Sequence, residues 1–87
     1  MNIVRFKIED KFYEATYSLV KHHPDTEIKV TASDEDVLPF TGEYFEVLIS
    51  PAPANTCTWR YSDQNTVQSN SIQDDIVSTI TKQENLP

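Results

Sequence analysis

The chain has 87 residues and a formal net charge of −7, from seven basic and fourteen acidic side chains. A chain of this length forms one small domain with a modest core, and its acidity disfavours direct binding of nucleic-acid phosphates. Cys57 is the single cysteine, which excludes an internal disulfide and a cysteine-rich metal site. We therefore expect one soluble domain over residues 1–87.

The N-terminal sequence and the length of the apolar runs indicate where in the cell the protein is expected. The N-terminus lacks the basic stretch followed by an apolar one that a secretory signal peptide shows. No stretch approaches the roughly 20 apolar residues that a spanning helix needs. We therefore predict a cytoplasmic protein without a membrane partner.

Two alternating segments predict an N-terminal β-hairpin. With Asp10-Lys11 as a two-residue turn, Ile8 lies opposite Tyr13, and Lys7 pairs with Glu14 on the other face. Every apolar residue of both segments then lies on one face, which a shift by one position would destroy.

A third alternating segment, 26–33, extends this hairpin into a meander. Pairing Leu19 with Ile28 sets Tyr17 opposite Val30, so the apolar face continues across the third strand.

The segment after the third strand breaks the alternation. Ser33 followed by acidic residues predicts a single helical turn that ends at Leu38, because Pro39 discourages its continuation. An irregular loop is the alternative. Gly42 is the only glycine of the chain, and we expect it to adopt a positive φ.

The most apolar run, 44–49, is short, aromatic and β-branched, which predicts a strand near the middle of the sheet. A last strand, 56–62, forms a hairpin with it. In this pairing Ile49 faces Cys57, and Cys57 and Trp59 lie on the core-facing side.

From Ser71 onward the period changes to that of a helix. Three isoleucines recur at every fourth position from Ile72, with Val77 beside them, which predicts a helix over about 72–84 with Ser71 as its N-cap. Its apolar stripe needs a partner, and the sheet supplies one. The predicted fold is α+β: an antiparallel sheet of about five strands, built from a meander and a hairpin, with one C-terminal helix on one face.

His22-His23 and Cys57 are the residues with the side chains most suited to catalysis or metal binding. Adjacent residues of an extended segment point in opposite directions, and structural zinc requires four ligands. We therefore interpret the histidines as solvated loop residues and Cys57 as a small buried apolar residue. We expect no metal, cofactor or catalytic residue.

Three apolar residues, Ile3, Tyr44 and Leu48, fall on the face opposite the core. They form a possible interaction patch. The alternative is that the segment 37–40 folds back and covers them.

The acidic residues Asp34, Glu35 and Asp36 form a possible contact for a basic partner. Together with the other acids they could present a negative face that imitates nucleic-acid phosphates.

The resulting hypothesis is a non-catalytic protein-interaction or accessory module with an unidentified protein partner, and a homodimer is one form of it. The alternative is an acidic nucleic-acid mimic that blocks a basic nucleic-acid-binding protein. A small hydrolase or metal enzyme that uses His22 and His23 is a third hypothesis.

Overall fold

The computed structural model describes residues 2–68 and 70–86; Ser69, in the predicted loop before the C-terminal helix, lies outside them. The elements are β1 (Asn2–Ile8), β2 (Lys11–His22), β3 (Asp25–Thr31), α1 (Leu38–Thr41), β4 (Tyr44–Ser50), β5 (Thr56–Tyr61) and α2 (Ser71–Gln83). The strands form one antiparallel sheet in chain order, and α2 packs on one face. The predicted α+β fold is confirmed, and the meander runs through all five strands because β3 also pairs with β4.

The core lies between α2 and the inner face of the sheet. Alternate residues of the four strands β1–β4 supply its buried side chains, as the period-2 pattern predicts. Ile76 and Ile80 of α2 are fully buried against them, and Ile72 and Val77 are partly buried at the margin. The helical stripe and its partner are therefore as the sequence indicates. No helix in the described ranges is long and apolar enough to cross a membrane.

Two of the three predicted strand pairings have the correct register, and the first hairpin does not. Leu19 lies opposite Ile28 and Ile49 lies opposite Cys57, as predicted. In β1–β2, however, Phe6 rather than Ile8 lies opposite Tyr13, because the turn is Glu9-Asp10, with Glu9 at a φ of 56°. The prediction is wrong by two residues, a shift that leaves every side chain on its original face and that alternation alone cannot detect.

The short helix α1 begins where the sequence predicted a helical turn to end. Pro39 lies in its first turn, where the missing N–H costs nothing and the fixed φ favours the helix. Ser33 is not its cap; instead the Asp34 side chain accepts a hydrogen bond of 2.9 Å from the Asp36 N–H and forms a turn. Gly42 ends α1 at a φ of 67°, as expected for the only glycine.

The long helix α2 begins one residue earlier than predicted. Its N-cap is Asn70, whose Oδ1 accepts from the Gln73 N–H at 2.8 Å, and not Ser71. Both residue types suit a cap, so the identity of the residues does not distinguish the two positions.

A buried glutamine fixes the start of α2 to the rest of the fold. Gln73 Nε2 donates to the carbonyl oxygens of Phe40 at 2.7 Å and Val67 at 2.8 Å. Its Oε1 accepts from the Tyr61 hydroxyl at 2.8 Å. Every polar atom of this side chain therefore has a partner, which permits its full burial within an apolar stripe.

The helix is not centred on the sheet. Among the strands its most extensive contacts are with β1, at one edge of the sheet, and it does not cover the start of β5 at the other edge. Cys57 is consequently exposed, although its side chain points to the inner face. The prediction that it is buried is wrong, because alternation reports the face of a side chain and not whether an element covers that face.

Candidate interaction surfaces

Most of the segments that connect the strands and helices lie at one end of the sheet. Because successive strands run in opposite directions, the β1–β2 turn, the β3–β4 connection and the segment after β5 all meet at this end. The start of α2 joins them, since Asn70 Nδ2 donates to the Phe40 carbonyl at 3.2 Å.

Nine of the fourteen acidic residues lie at this end, and all nine are exposed. We call this group the acidic end. Its members are Glu9, Asp10, Asp34, Glu35, Asp36, Glu43, Asp63, Asp74 and Asp75.

The predicted acidic trio lies within the acidic end but is not uniform. Asp36 accepts a hydrogen bond from the Tyr13 hydroxyl at 3.2 Å, and Lys11 Nζ lies 3.8 Å from the same carboxylate oxygen. These contacts join the β3–β4 connection to the start of β2. Burial and the negative charge of Asp36 raise the pKa of Tyr13 above its ordinary value. All three members of the trio are exposed.

The outer face of the sheet, defined as the outward-pointing residues of the five strands, has a different electrostatic character. It carries four basic and four acidic residues, which balance: Arg5, Lys7, Lys29 and Arg60 against Glu14, Asp25, Glu27 and Glu46. Several are paired across strands, with Arg5 Nη2 3.5 Å from Glu14 Oε2 and Arg60 Nη1 3.8 Å from Glu46 Oε2. The net negative charge of the chain therefore lies off this face.

The predicted apolar patch is spread across the outer face. Ile3 and Tyr44 lie in one cross-strand row with Thr16 and Thr31 between them, so their backbones are roughly 14 Å apart, three strand spacings. Ile3 is 54% exposed, whereas Tyr44 is half-buried, with Lys29 Nζ 4.4 Å from the centre of its ring. Leu48 is also half-buried.

The segment 37–40 does not cover this patch. Val37 is fully buried in the core on the helix side of the sheet, and the Phe40 carbonyl accepts hydrogen bonds from α2. The alternative of a folded-back cover is therefore wrong, and the outer face stays open among the described residues. An antiparallel sheet commonly leaves one face to solvent.

The two histidines lie in different places. His22 is on the outer face, where its Nε2 lies 3.6 Å from Glu27 Oε2. His23 lines a shallow hollow with Lys21, Asp25 and Leu86, at the opposite end of the sheet from the acidic end. Within residues 2–68 and 70–86, no three His, Cys, Asp or Glu side chains come close enough to hold a metal ion.

Sequence reasoning did not include Asp63 among the acids that could share a face, and it did not establish that Glu9 and Glu43 lie beside the acidic trio. Each lies next to a strand terminus, and the predicted meander already implied which termini meet. Strand direction combined with charge at strand ends was the available signal. No family model matches the chain, and the comparisons with curated proteins and with solved structures found no match either. Function is therefore inferred from geometry and charge alone.

Proposed function

We propose that the chain is a non-catalytic interaction module that binds a basic surface of a protein partner through its acidic end. The observation that carries the proposal is the segregation of charge: nine exposed carboxylates lie at one end, while the outer face of the sheet is balanced. A uniformly acidic surface would favour solubility alone, whereas a one-ended distribution favours a particular orientation towards a partner.

The physical basis of the proposed binding is the mutual repulsion of the carboxylates at the acidic end, which a basic partner reduces. Exposed carboxylates on neighbouring loops repel one another, and at physiological salt this repulsion extends over about 8 Å. A lysine- or arginine-rich surface reduces the repulsion and is steered towards the acidic end. Such binding weakens as salt is added, which distinguishes it from apolar association.

A catalytic role is the weaker interpretation of the same acids. General acid–base catalysis requires a carboxyl group whose environment sets its pKa, in reach of a bound substrate. The nine carboxylates instead project from turns, from the ends of strands and from the first turns of a helix, and all are exposed. We further propose a cytoplasmic location, which suits a protein whose one thiol, on Cys57, is exposed.

A narrower candidate is a nucleic-acid mimic, in which the basic partner is a protein that otherwise binds nucleic acid. Clustering of the acids at one end favours it, because a mimic must present its carboxylates together. The discriminating experiment adds the protein to a basic leucine-zipper DNA-binding region that already holds a labelled duplex. Release of the duplex would support the mimic; binding without release would leave the broader function and exclude the narrower one.

The test of the broader function compares two variants with equal net charge. One carries Asp34→Asn, Glu35→Gln and Asp63→Asn at the acidic end; the control carries Glu14→Gln, Glu27→Gln and Glu46→Gln on the outer face. The probe is a labelled lysine–alanine peptide, and fluorescence anisotropy is measured at low and at physiological salt.

We expect salt-sensitive binding of the peptide by the unmodified protein. The acidic-end variant should lose several-fold more affinity than the control, because the control removes carboxylates that are paired with Arg5, His22 or Arg60. Equal losses in the two variants would mean that net charge alone governs binding, and the proposal would be wrong.

A further inference from the structure

The outer strand β5 presents hydrogen-bonding groups to solvent. The Ser62 N–H donates to the Tyr44 carbonyl at 3.2 Å, which fixes the alternation of the β4–β5 ladder. The backbone N–H and C=O groups of the even-numbered residues of β5 therefore point towards β4. Cys57 and Trp59 direct their backbone N–H and C=O groups away from the sheet, and no described residue pairs with them.

The other edge of the sheet is protected. Gln83 Nε2 donates to the outward carbonyl of Ile3 at 3.3 Å, and Arg5 and Lys7 place charges along β1. Charged side chains of this kind discourage pairing with another strand. By contrast, Arg60 is the only charged residue of β5, and the strand contains neither proline nor glycine. The two edges are thus unequal, and β5 is the one open to pairing.

An apolar hollow adjoins the open edge. It has a volume of about 460 Å³ and lies at the turn end of the β4–β5 hairpin, where Ile49, Pro51, Ala52 and Cys57 line it. It is unfilled because α2 lies towards β1. Two positions along the same strand, the half-buried indole of Trp59 projects from the same face. A large apolar group and an apolar hollow therefore lie side by side on one strand.

We propose that two copies of the chain associate through their β5 edges, antiparallel, with Cys57 opposite Trp59 of the second copy. This register pairs the outward N–H and C=O groups of Cys57 in each copy with those of Trp59 in the other. It forms four backbone hydrogen bonds about a two-fold axis at Thr58. It also brings each Trp59 beside the hollow of the other copy. The result is one continuous ten-stranded sheet.

The charges of the chain suit this arrangement. Arg60 lies opposite Thr56 of the second copy, so no like charges meet across the new ladder. Because the two strands are antiparallel, the acidic ends point in opposite directions, as far from each other as the sheet allows. The acidic end is also outside the interface, so the dimer and the proposed binding of a basic partner stand or fall separately.

One short strand per copy buries less area than a standard stable interface, so we expect a weak dimer that forms at high protein concentration. Sedimentation should show a mass that rises with concentration from 10.0 kDa towards twice that value. Cys57→Pro removes an N–H that points away from β4 and should shift the dimer to monomer. Cys57→Ser retains that N–H and should still dimerise.

A disulfide trap tests the register itself. In the proposed register Thr58 lies opposite Thr58 of the second copy, and the two form a non-hydrogen-bonded pair. The Cα atoms of such a pair are about 4.5 Å apart, a distance that suits a disulfide. In the Cys57→Ser background, Thr58→Cys should therefore give mostly cross-linked dimer on oxidation, and the control Thr56→Cys should give little. Sedimentation as a monomer at about millimolar concentration, a range in which weak associations still register, would overturn the proposal. Equal cross-linking of the two cysteine variants would also overturn it.

Discussion

Replacing Gly42 by alanine would place a methyl group where neighbouring side-chain atoms already fill the space. A Cβ at this position would lie 2.6 Å from Thr66 Oγ1 and 2.8 Å from Ser62 Oγ, both closer than real Cβ contacts. The backbone is also unsuited to alanine, since Gly42 has a φ of 67° and a ψ of −172°. This region is essentially restricted to glycine.

The magnitude follows from the two effects together. Holding a non-glycine residue in such a region costs of order 1–3 kcal/mol, and a methyl group inserted into a packed site typically costs a further 1–3 kcal/mol. A domain of this size has a total stability of about 4–13 kcal/mol. Gly42→Ala should therefore remove a large fraction of it.

Urea unfolding measures the loss directly, as a lower midpoint with an unchanged slope. Thr66→Ala, made alone and together with Gly42→Ala, separates the two effects, because it removes the nearer of the two contacts and leaves the backbone strain. We expect Gly42→Ala to cost about 1 kcal/mol less in the Thr66→Ala background, a typical coupling for residues in contact. A loss below about 0.5 kcal/mol for Gly42→Ala itself, within the range of ordinary surface changes, would refute the reasoning.

Three further predictions concern α2 and its contacts. Gln73→Leu should destabilise by about 2–4 kcal/mol, from the loss of buried hydrogen bonds each worth about 1 kcal/mol, and calorimetry would show a lower melting temperature. Asn70→Ala should cost about 1 kcal/mol and Ser71→Ala far less, and a reversed order in urea unfolding would restore Ser71 as the cap. Burial and the 2.7 Å hydrogen bond to Glu84 raise the pKa of Tyr17 above 10.0. Its contribution to stability should therefore be complete below that pH and be lost as pH rises through the higher folded value, and Tyr17→Phe should abolish this part of the pH profile.

The elements of the fold were predictable because each alternating segment contains enough apolar residues to mark one face. The register of the first hairpin was not. Its correct turn places Glu9 at positive φ, which glutamate adopts reluctantly, and a shift of two residues satisfies the same alternation. Pairing of Lys7 with Glu14 and pairing of Arg5 with Glu14 are equally good on charge, so the sequence offers no means of choosing.

The surfaces were less predictable than the strands. The exposure of Cys57 depends on where α2 lies across the sheet, which the apolar stripe of the helix does not reveal in the sequence. The acidic end depended on bringing loops together that are distant in sequence, such as those at Glu9 and Asp63. The strand directions implied the acidic end, but the types of the residues alone do not show it. The unpaired edge of β5 depends likewise on strand order and not on composition.

The central claim is that the acidic end, and not the net charge of the chain, governs recognition. Titration of the ¹⁵N-labelled protein with a lysine–alanine peptide, followed by amide chemical shifts, tests it most directly. We expect the largest shifts at residues 9–10, 34–36, 43, 63 and 74–75, and small ones along the outer face. Largest shifts near Glu14, Glu27 and Glu46, or shifts of equal size at both surfaces, would contradict it.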